Sequence, residues 1–177
     1  MDPDSLLGPA APGPEDPLGF WAACHRRMLE NIATLERLAG HLRHTGVDDQ
    51  AAAAADRVRR YFNEAAPRHH ADEEEDLFPR LRSACPGDRA LHAELDDLAG
   101  GHGELDRAWA TLEPALAAIA EGHEAILEPA EYVATVRDHV AREDEVVAPR
   151  LRAALTADDL RAAGTAMAAR RGLAPPV

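Results

Sequence analysis

Apolar residues recur at alternating intervals of three and four along four long segments of this chain, a spacing that places them on one face of a helix. The clearest run is Leu91, Leu95, Leu98, Leu105, Trp109, Leu112, Leu116 and Ile119. Four amphipathic helices can bury their apolar faces only against one another. Because a few residues connect them, successive helices should be antiparallel. The sequence therefore predicts an all-α fold, an antiparallel up-down-up-down four-helix bundle with a short C-terminal helix.

Proline, glycine and a capping sequence set the expected boundaries. Residues 1–15 are rich in proline and glycine, so we expect a flexible N-terminal tail. The bundle should occupy residues 16–155. Residues 156–177 should form a short helix and a loose tail, because a capping-box sequence from Thr156 to Asp159 marks a helix start. This short helix should pack outside the bundle.

Two features disturb the predicted helices. Pro67 falls within the second helix and should kink or interrupt it, since proline has no N–H and its ring clashes with the preceding turn. Gly100 and Gly101 lie in the middle of the third helix, where they weaken it without changing its periodicity.

Acidic residues outnumber basic ones, 32 against 19, and give a formal net charge of −13. Nucleic acid and anionic membranes are therefore not expected partners, because both are negatively charged. No apolar run approaches the ~20 residues that a bilayer requires, and no basic segment followed by an apolar core opens the chain. Two cysteines, Cys24 and Cys85, make no disulfide framework, although one bridge between them is compatible with the sequence. We expect a cytoplasmic protein.

Histidines occupy inward-facing positions on these otherwise apolar helix faces. His25, His102 and His139 lie on the first, third and fourth helices. The second helix offers two adjacent candidates, His69 and His70. A buried ring nitrogen without a partner costs about 1–3 kcal/mol, so one such histidine on every helix calls for a shared explanation.

The rise of a helix, ~1.5 Å per residue, allows the depth of each histidine to be compared. Counted from helix ends that share one face of an antiparallel bundle, four histidines lie at a similar depth of roughly 14–21 Å. They are His25, His69, His102 and His139. Four others lie at different depths and are expected to be solvated: His41, His44, His92 and His123.

An internal repeat links the second and fourth helices. Residues 69–81 and residues 139–151 both contain His-x-x-x-Glu, then five residues, then Pro-Arg-Leu. The repeat pairs His69 and Glu73 with His139 and Glu143. Periodicity alone does not choose between this register and the pair one residue later, His70 with Glu74; the repeat favours the first.

Each His-x-x-x-Glu pair directs an imidazole and a carboxylate into the core, because residues four apart stack on one helix face. Buried carboxylates need a compensating cation. Helical bundles hold two metal ions in this way, with bridging carboxylates and imidazoles. Imidazole and carboxylate without thiolate suit iron, with manganese or zinc as alternatives. The predicted metal ligands are His25, His69, Glu73, His102, His139 and Glu143.

Glu73 belongs to an acidic run that extends from Asp72 to Asp76. We expect Glu73 to face the core. Its neighbours Asp72, Glu75 and Asp76 are expected to form a solvated face.

As a set, these motifs resemble the hemerythrin-like family, also called the HHE cation-binding domain, over roughly residues 16–155. The resemblance rests on Cys24-His25-Arg26-Arg27, on the double-histidine acidic segment that ends in Leu77-Phe78-Pro79, on the isolated His102, and on His139 to Glu143. It implies a non-haem di-iron centre whose irons are linked by two carboxylates and an oxo or hydroxo group. By the same resemblance, the four histidines would be terminal ligands, and Glu73 and Glu143 would be the bridges.

The sequence departs from oxygen-carrying hemerythrins on the third helix. Those proteins have two histidines spaced by four there, whereas one turn after His102 this chain has Asp106. Either Asp106 or Glu104 completes the metal shell, or the position is open to water or a small ligand. The residues expected to limit solvent access are apolar: Trp21, Leu98, Leu105 and Val136.

The resemblance implies a function in small-molecule redox chemistry. We expect a di-iron protein that binds or senses a small oxidant, namely dioxygen, nitric oxide or peroxide. A di-iron oxidoreductase that breaks down peroxide or oxidises and handles iron is the alternative, and a bundle with one structural metal or none is a third. A sensing role would require an unidentified protein partner, because the chain has no separate output domain.

Overall fold

The computed structural model of this chain describes residues 12–176, and its architecture confirms the predicted all-α bundle. Residues 12–176 form five helices: α1 (Pro17–Thr45), α2 (residues 49–84), α3 (Arg89–Ala120), α4 (residues 130–154) and α5 (Ala157–Arg170). Each of the first four packs against its neighbours in the chain, and α4 closes the ring against α1. The described residues include no strand.

The helix starts carry the capping side chains that the sequence indicates. Asp16, Asp48 and Asp88 each accept a hydrogen bond from the backbone N–H three residues ahead. Thr156 and Asp159 form the predicted capping box at the start of α5. Such caps satisfy N–H groups that a helix leaves unpaired, and each stabilises its helix by about 1 kcal/mol.

Three π-helical turns lie within α2 and α4, at Tyr61–Ala65, Glu73–Leu77 and Glu143–Val147. The residue after each turn donates its N–H five residues back, and a proline follows at once, at Pro67, Pro79 and Pro149. Pro67 therefore does not end α2; the wider turn before it accommodates the missing donor, and the helix continues. The α-helical pattern is interrupted as predicted, and the form of the interruption is a π turn.

Two apolar clusters fill the bundle, one toward each end. The first contains Met28, Ile32, Leu35, Phe62, Leu105, Trp109 and Val136, and the second contains Trp21, Leu77, Leu81, Leu95, Leu98, Leu151 and Met167. The inward-facing histidines and glutamates form a polar layer between them. Gly100 and Gly101 do not break α3, which is continuous through this layer.

Helix α5 packs outside the bundle against α1 and α2, as predicted. Its end carries Arg170 and Arg171, which bind Asp72 at 2.5 and 2.6 Å, and Arg170 also binds Asp76 at 2.6 Å. The expectation that Asp72 and Asp76 are solvated is therefore wrong. Both are buried because arginines nearly a hundred residues away compensate their charges. Glu75 is exposed, as expected.

The first and last segments of the described chain lie close to α5. The carbonyl of Pro14 and the ring of Pro176 both lie beside Gly164, where a side chain would overlap the Pro14 backbone. The tail predicted for residues 1–15 falls largely on residues 1–11, outside the described residues. Cys24 and Cys85 are free thiols. Between residues 12 and 176, no helix is both long and apolar enough to cross a bilayer.

Candidate metal centre

All six predicted ligands lie in the polar layer, and all are buried. Their donor atoms converge in two groups: His25, His69, Glu73 and Glu143 in the first, and His102, His139 and Glu143 in the second. Each of the four helices contributes one histidine to the layer, because these histidines lie at the same depth on α1, α2, α3 and α4. We call the first group position A and the second position B.

The two glutamates each present one oxygen to either position. In Glu73, Oε1 lies 3.1 Å from His69 Nε2, and Oε2 lies 3.2 Å from His102 Nε2. In Glu143, Oε2 lies 3.3 Å from His25 Nε2, and Oε1 lies 3.2 Å from His139 Nε2. A carboxylate that divides its oxygens between two donor groups has the arrangement needed to bridge two cations.

Several of these buried atoms have no hydrogen-bond partner within the part of the chain that the structure describes. They are His25 Nε2, His69 Nδ1, Glu73 Oε2, His102 Nε2, His139 Nε2 and both carboxylate oxygens of Glu143. The short distances between them are charge contacts without hydrogen-bond geometry. Buried polar atoms are normally satisfied, and each exception costs about 1–3 kcal/mol. A cation placed among the Nε2 atoms and the carboxylate oxygens would satisfy them, so the residues fit the metal that the sequence predicts.

Without a cation, protons balance the two buried carboxylates. Burial alone would lower the pKa of His25, but contacts with Asp144, Glu143 and Glu73 raise it to about 11. Burial also opposes the rise in the pKa of His102, which contacts with Glu143, Glu73 and Glu74 bring to about 10. In the metal-free protein, the positive charges of His25 and His102 therefore balance the two carboxylates, as a pair of metal ions would.

The glutamates respond in the opposite direction. Burial and the charge of Glu143 raise the pKa of Glu73, yet His69, His102 and His25 hold it at about 2. Burial likewise raises the pKa of Glu143, and His102, His139 and His25 outweigh it and lower that pKa well below its usual value. Both bridging candidates are thus ionised at neutral pH, as metal ligands must be.

An outer set of groups orients the layer. Asp144 Oδ1 lies 2.8 Å from His25 Nδ1, and Glu74 Oε1 lies 2.6 Å from His102 Nδ1. An Nδ1–H that donates to a carboxylate leaves the Nε2 lone pair free for the metal side. The indole N–H of Trp21 donates to Glu73 Oε1 at 2.6 Å.

Sequence reasoning did not assign these outer roles. The sequence predicts Trp21 only as an apolar residue that limits solvent access, and Glu74 only as an alternative ligand to Glu73. One signal was present: each repeat continues with an acidic residue after its glutamate, Glu74 after Glu73 and Asp144 after Glu143. Each of these acids reaches a histidine on a helix outside its own repeat.

The adjacent histidine, His70, lies just outside the converging donors. Its ring stacks on His102 with centroids 4.0 Å apart and an interplanar angle of 8°. Burial and the nearby His102 charge lower the pKa of His70 to about 3. Together with the exposed Asp106, His70 lines a small cavity of about 10 Å³ whose wall also includes Trp109 and Tyr132. This volume suits one molecule about the size of water.

Neither of the two residues proposed to complete the shell belongs to the converging groups found among residues 12–176. Asp106 lines the small cavity, and Glu104 lines a surface groove beside His139. The remaining histidines have other partners or lie in solvent. His41 contacts Asp48, His44 and His92 contact backbone carbonyls, and His123 is exposed.

Comparison with known proteins agrees with this geometry. An uncharacterized protein of Haemophilus influenzae is 31% identical over 97 residues, which cover 55% of this chain and 55% of that protein. The chain thus spans about half the length of this relative. Residues 16–151 match the family described as the hemerythrin HHE cation binding domain, and they include all six buried donors of the polar layer. The chain therefore belongs to the hemerythrin HHE cation-binding domain family.

Proposed function

We propose that this protein holds two iron ions in the polar layer and binds or senses a small oxidant there, namely dioxygen, nitric oxide or peroxide. The observation that carries the proposal is the division of the Glu73 and Glu143 oxygens between positions A and B. Imidazole and carboxylate donors without thiolate suit iron, and manganese or zinc would compete for the same set. An iron pair supplies electrons that can be exchanged with a small oxidant.

The histidines would be shared equally between the two metal positions. His25 and His69 would be terminal ligands at position A, and His102 and His139 at position B, with both glutamates as bridges. Each position would then have two histidines and one oxygen from each glutamate, which leaves room for water or a small ligand, as open coordination does at catalytic metal sites.

The surroundings favour small uncharged ligands. Leu98 covers the layer from one apolar cluster, and Leu105 and Val136 cover it from the other; all three are buried. The net charge of −13 opposes the approach of anions. We place the protein in the cytoplasm, where a reducing environment suits its two free cysteines, and a sensing role would add a protein partner.

Iron loading under anaerobic conditions tests the proposal. We expect elemental analysis to return two irons per chain, and absorption spectra to change when air, peroxide or nitric oxide is added. His69→Ala should lose iron, together with the stabilisation that binding confers, about 2.7 kcal/mol at a hundredfold excess over Kd. The exposed His123 gives the control, His123→Ala, which should change neither. One iron or fewer per wild-type chain would refute the metal pair.

The spectra also separate the oxidant-binding function from the second candidate, a di-iron oxidoreductase that breaks down peroxide or handles iron. Reversal of the spectral change when the oxidant is removed supports binding or sensing. Continued consumption of peroxide or ferrous iron supports the enzyme, a candidate favoured by the acidic groove beside His139. A reduced protein that all three oxidants leave unchanged would reject both and leave a structural metal site.

A further inference from the structure

A polar groove between α3 and α4 connects the protein surface with the edge of the polar layer. It encloses about 290 Å³. Its lining includes four acidic side chains and one arginine: Asp96, Asp97, Glu104, Asp138 and Arg142. His139, a candidate ligand at position B, also lines the groove, although its residue surface is only 6% exposed.

Glycine keeps this groove open to the imidazole. A side chain at Gly101 would place its Cβ 3.3 Å from His139 Nδ1, closer than most such contacts, and 3.6 Å from Cε1, an ordinary contact distance. A Cβ at the neighbouring Gly100 would meet nothing within 4 Å. Glycine weakens a helix, so α3 would gain from alanine at either position. The close approach of His139 gives a reason for glycine at position 101 in particular.

His139 is held less firmly than the other candidate ligands. Carboxylates hold the Nδ1 atoms of His25 and His102, and His69 is enclosed by protein. In residues 12–176, the Nδ1 atom of His139 has no hydrogen-bond partner, and His139 is the most exposed of the four at 6%. Its Nε2 atom also lacks a partner. The imidazole therefore presents Nδ1 to Gly101 at the groove and Nε2 to Glu143 in the layer.

The charges of the groove favour a cation. Asp96 pairs with Arg82, and Asp97 with Arg142. Glu104 and Asp138 are both exposed, and neither takes part in an ion pair within the described part of the chain. Their free carboxylates add to the negative field of an acidic protein, which concentrates cations and excludes anions at the opening.

We propose that this groove is the route by which divalent metal ions reach the polar layer, with His139 as the ligand that receives them. A cation attracted by Glu104 and Asp138 would bind His139 at the floor of the groove and then pass inward to Glu143, which lies 3.2 Å from His139 Nε2. Position B would fill first. This route rests on the proposed metal binding and adds to it a defined direction of uptake.

Uptake kinetics of the metal-free protein test the route. Cobalt(II) is a suitable probe, because its absorption bands report ligand binding and it binds imidazole and carboxylate groups. In stopped-flow mixing, we expect Gly101→Ala to slow cobalt uptake roughly tenfold, the effect of a modest added barrier. Gly100→Ala is the matched control with the same gain in helix propensity, and it should keep the wild-type rate. Both variants should reach the wild-type stoichiometry.

A second pair of variants tests the charges. Glu104→Gln with Asp138→Asn should slow uptake and reduce its dependence on ionic strength. Glu124→Gln with Glu128→Gln removes the same charge from exposed residues of the α3–α4 connection, and it should leave the rate close to wild type.

The outcomes separate the route from the proposed function. Full cobalt occupancy with equal rates in all four variants would overturn the route and leave metal binding intact. Weaker binding of Gly101→Ala with an unchanged association rate would also overturn it, by showing that the glycine only positions a ligand. Wild-type protein that binds no cobalt at equilibrium would overturn the proposed function, and the route with it.

Discussion

Metal binding should release protons from this protein, because protons occupy the polar layer when the metal is absent. His25 has a pKa of about 11 and His102 a pKa of about 10 in the metal-free state. At pH 7 both rings are therefore protonated. A metal ion requires the Nε2 lone pair of each ring, so about two protons must leave when both positions are filled.

The size of the effect follows from the proton count. When two protons leave, the apparent binding constant should rise about 100-fold per pH unit, for as long as both rings remain protonated in the metal-free protein. Isothermal titration of cobalt at pH 7, repeated in buffers of different ionisation enthalpy, measures the number of protons directly. Near-zero release, or an affinity that does not change between pH 6.5 and 8, would show that the imidazoles are neutral and that the charge balance described for the layer is wrong.

The same rings set the direction in which metal-free stability changes with pH. Their folded pKa values lie above the ordinary histidine value of 6.5, so the folded state holds protons more tightly than the unfolded state. This contribution is fully present below pH 6.5, declines above it, and is lost as the pH rises through about 10 to 11. Urea unfolding of metal-free protein should show that decline, and metal-loaded protein should show less of it.

Two substitutions test the groups around the layer. Glu74→Ala should lower metal affinity by about 10- to 100-fold, because His102 loses the acceptor for its Nδ1–H, and Glu74→Gln should restore part of it. The exposed Glu145 provides the control, Glu145→Ala, and equal losses in a chelator competition would dismiss the orienting role. Asp72→Ala should destabilise the protein by about 3 kcal/mol in urea, because Arg171 loses its carboxylate partner and Arg170 keeps only Glu75 and Asp76. Asp158→Ala, on an exposed residue, should change stability by less than about 0.5 kcal/mol.

The sequence predicts the bundle and its polar layer well because both depend on the period of a single helix. Apolar spacing identifies the inward face, and a constant rise per residue relates the depths of residues on different helices. His25 and His102 could be brought to one level in this way, although 77 residues separate them in the sequence. The repeat then distinguished His69 from His70, which periodicity alone could not do.

The groups that the sequence did not reveal depend on contacts between helices. Asp72 has the pattern of a solvated residue, and only the packing of α5 brings Arg171 against it. Trp21 has the pattern of an apolar residue, but its N–H faces Glu73 in the folded protein. The π turns were also missed, because a shift from an i−4 to an i−5 hydrogen bond changes geometry without changing the residue types that favour a helix.

The π turns that begin at Glu73 and Glu143 have a consequence for the angular phase of their helices. His69, Glu73, Leu77 and Leu81 are spaced by four and all are buried, as are His139, Glu143, Val147 and Leu151. In a regular α-helix, three steps of four residues rotate a side chain by about 120° away from its starting direction. The wider turns largely cancel this rotation, so the ligands and the apolar residues that follow them point in nearly the same direction from the helix axis. If either wide turn became a regular α-helical turn with every residue kept, the apolar half of the helix would therefore rotate relative to its metal-facing half.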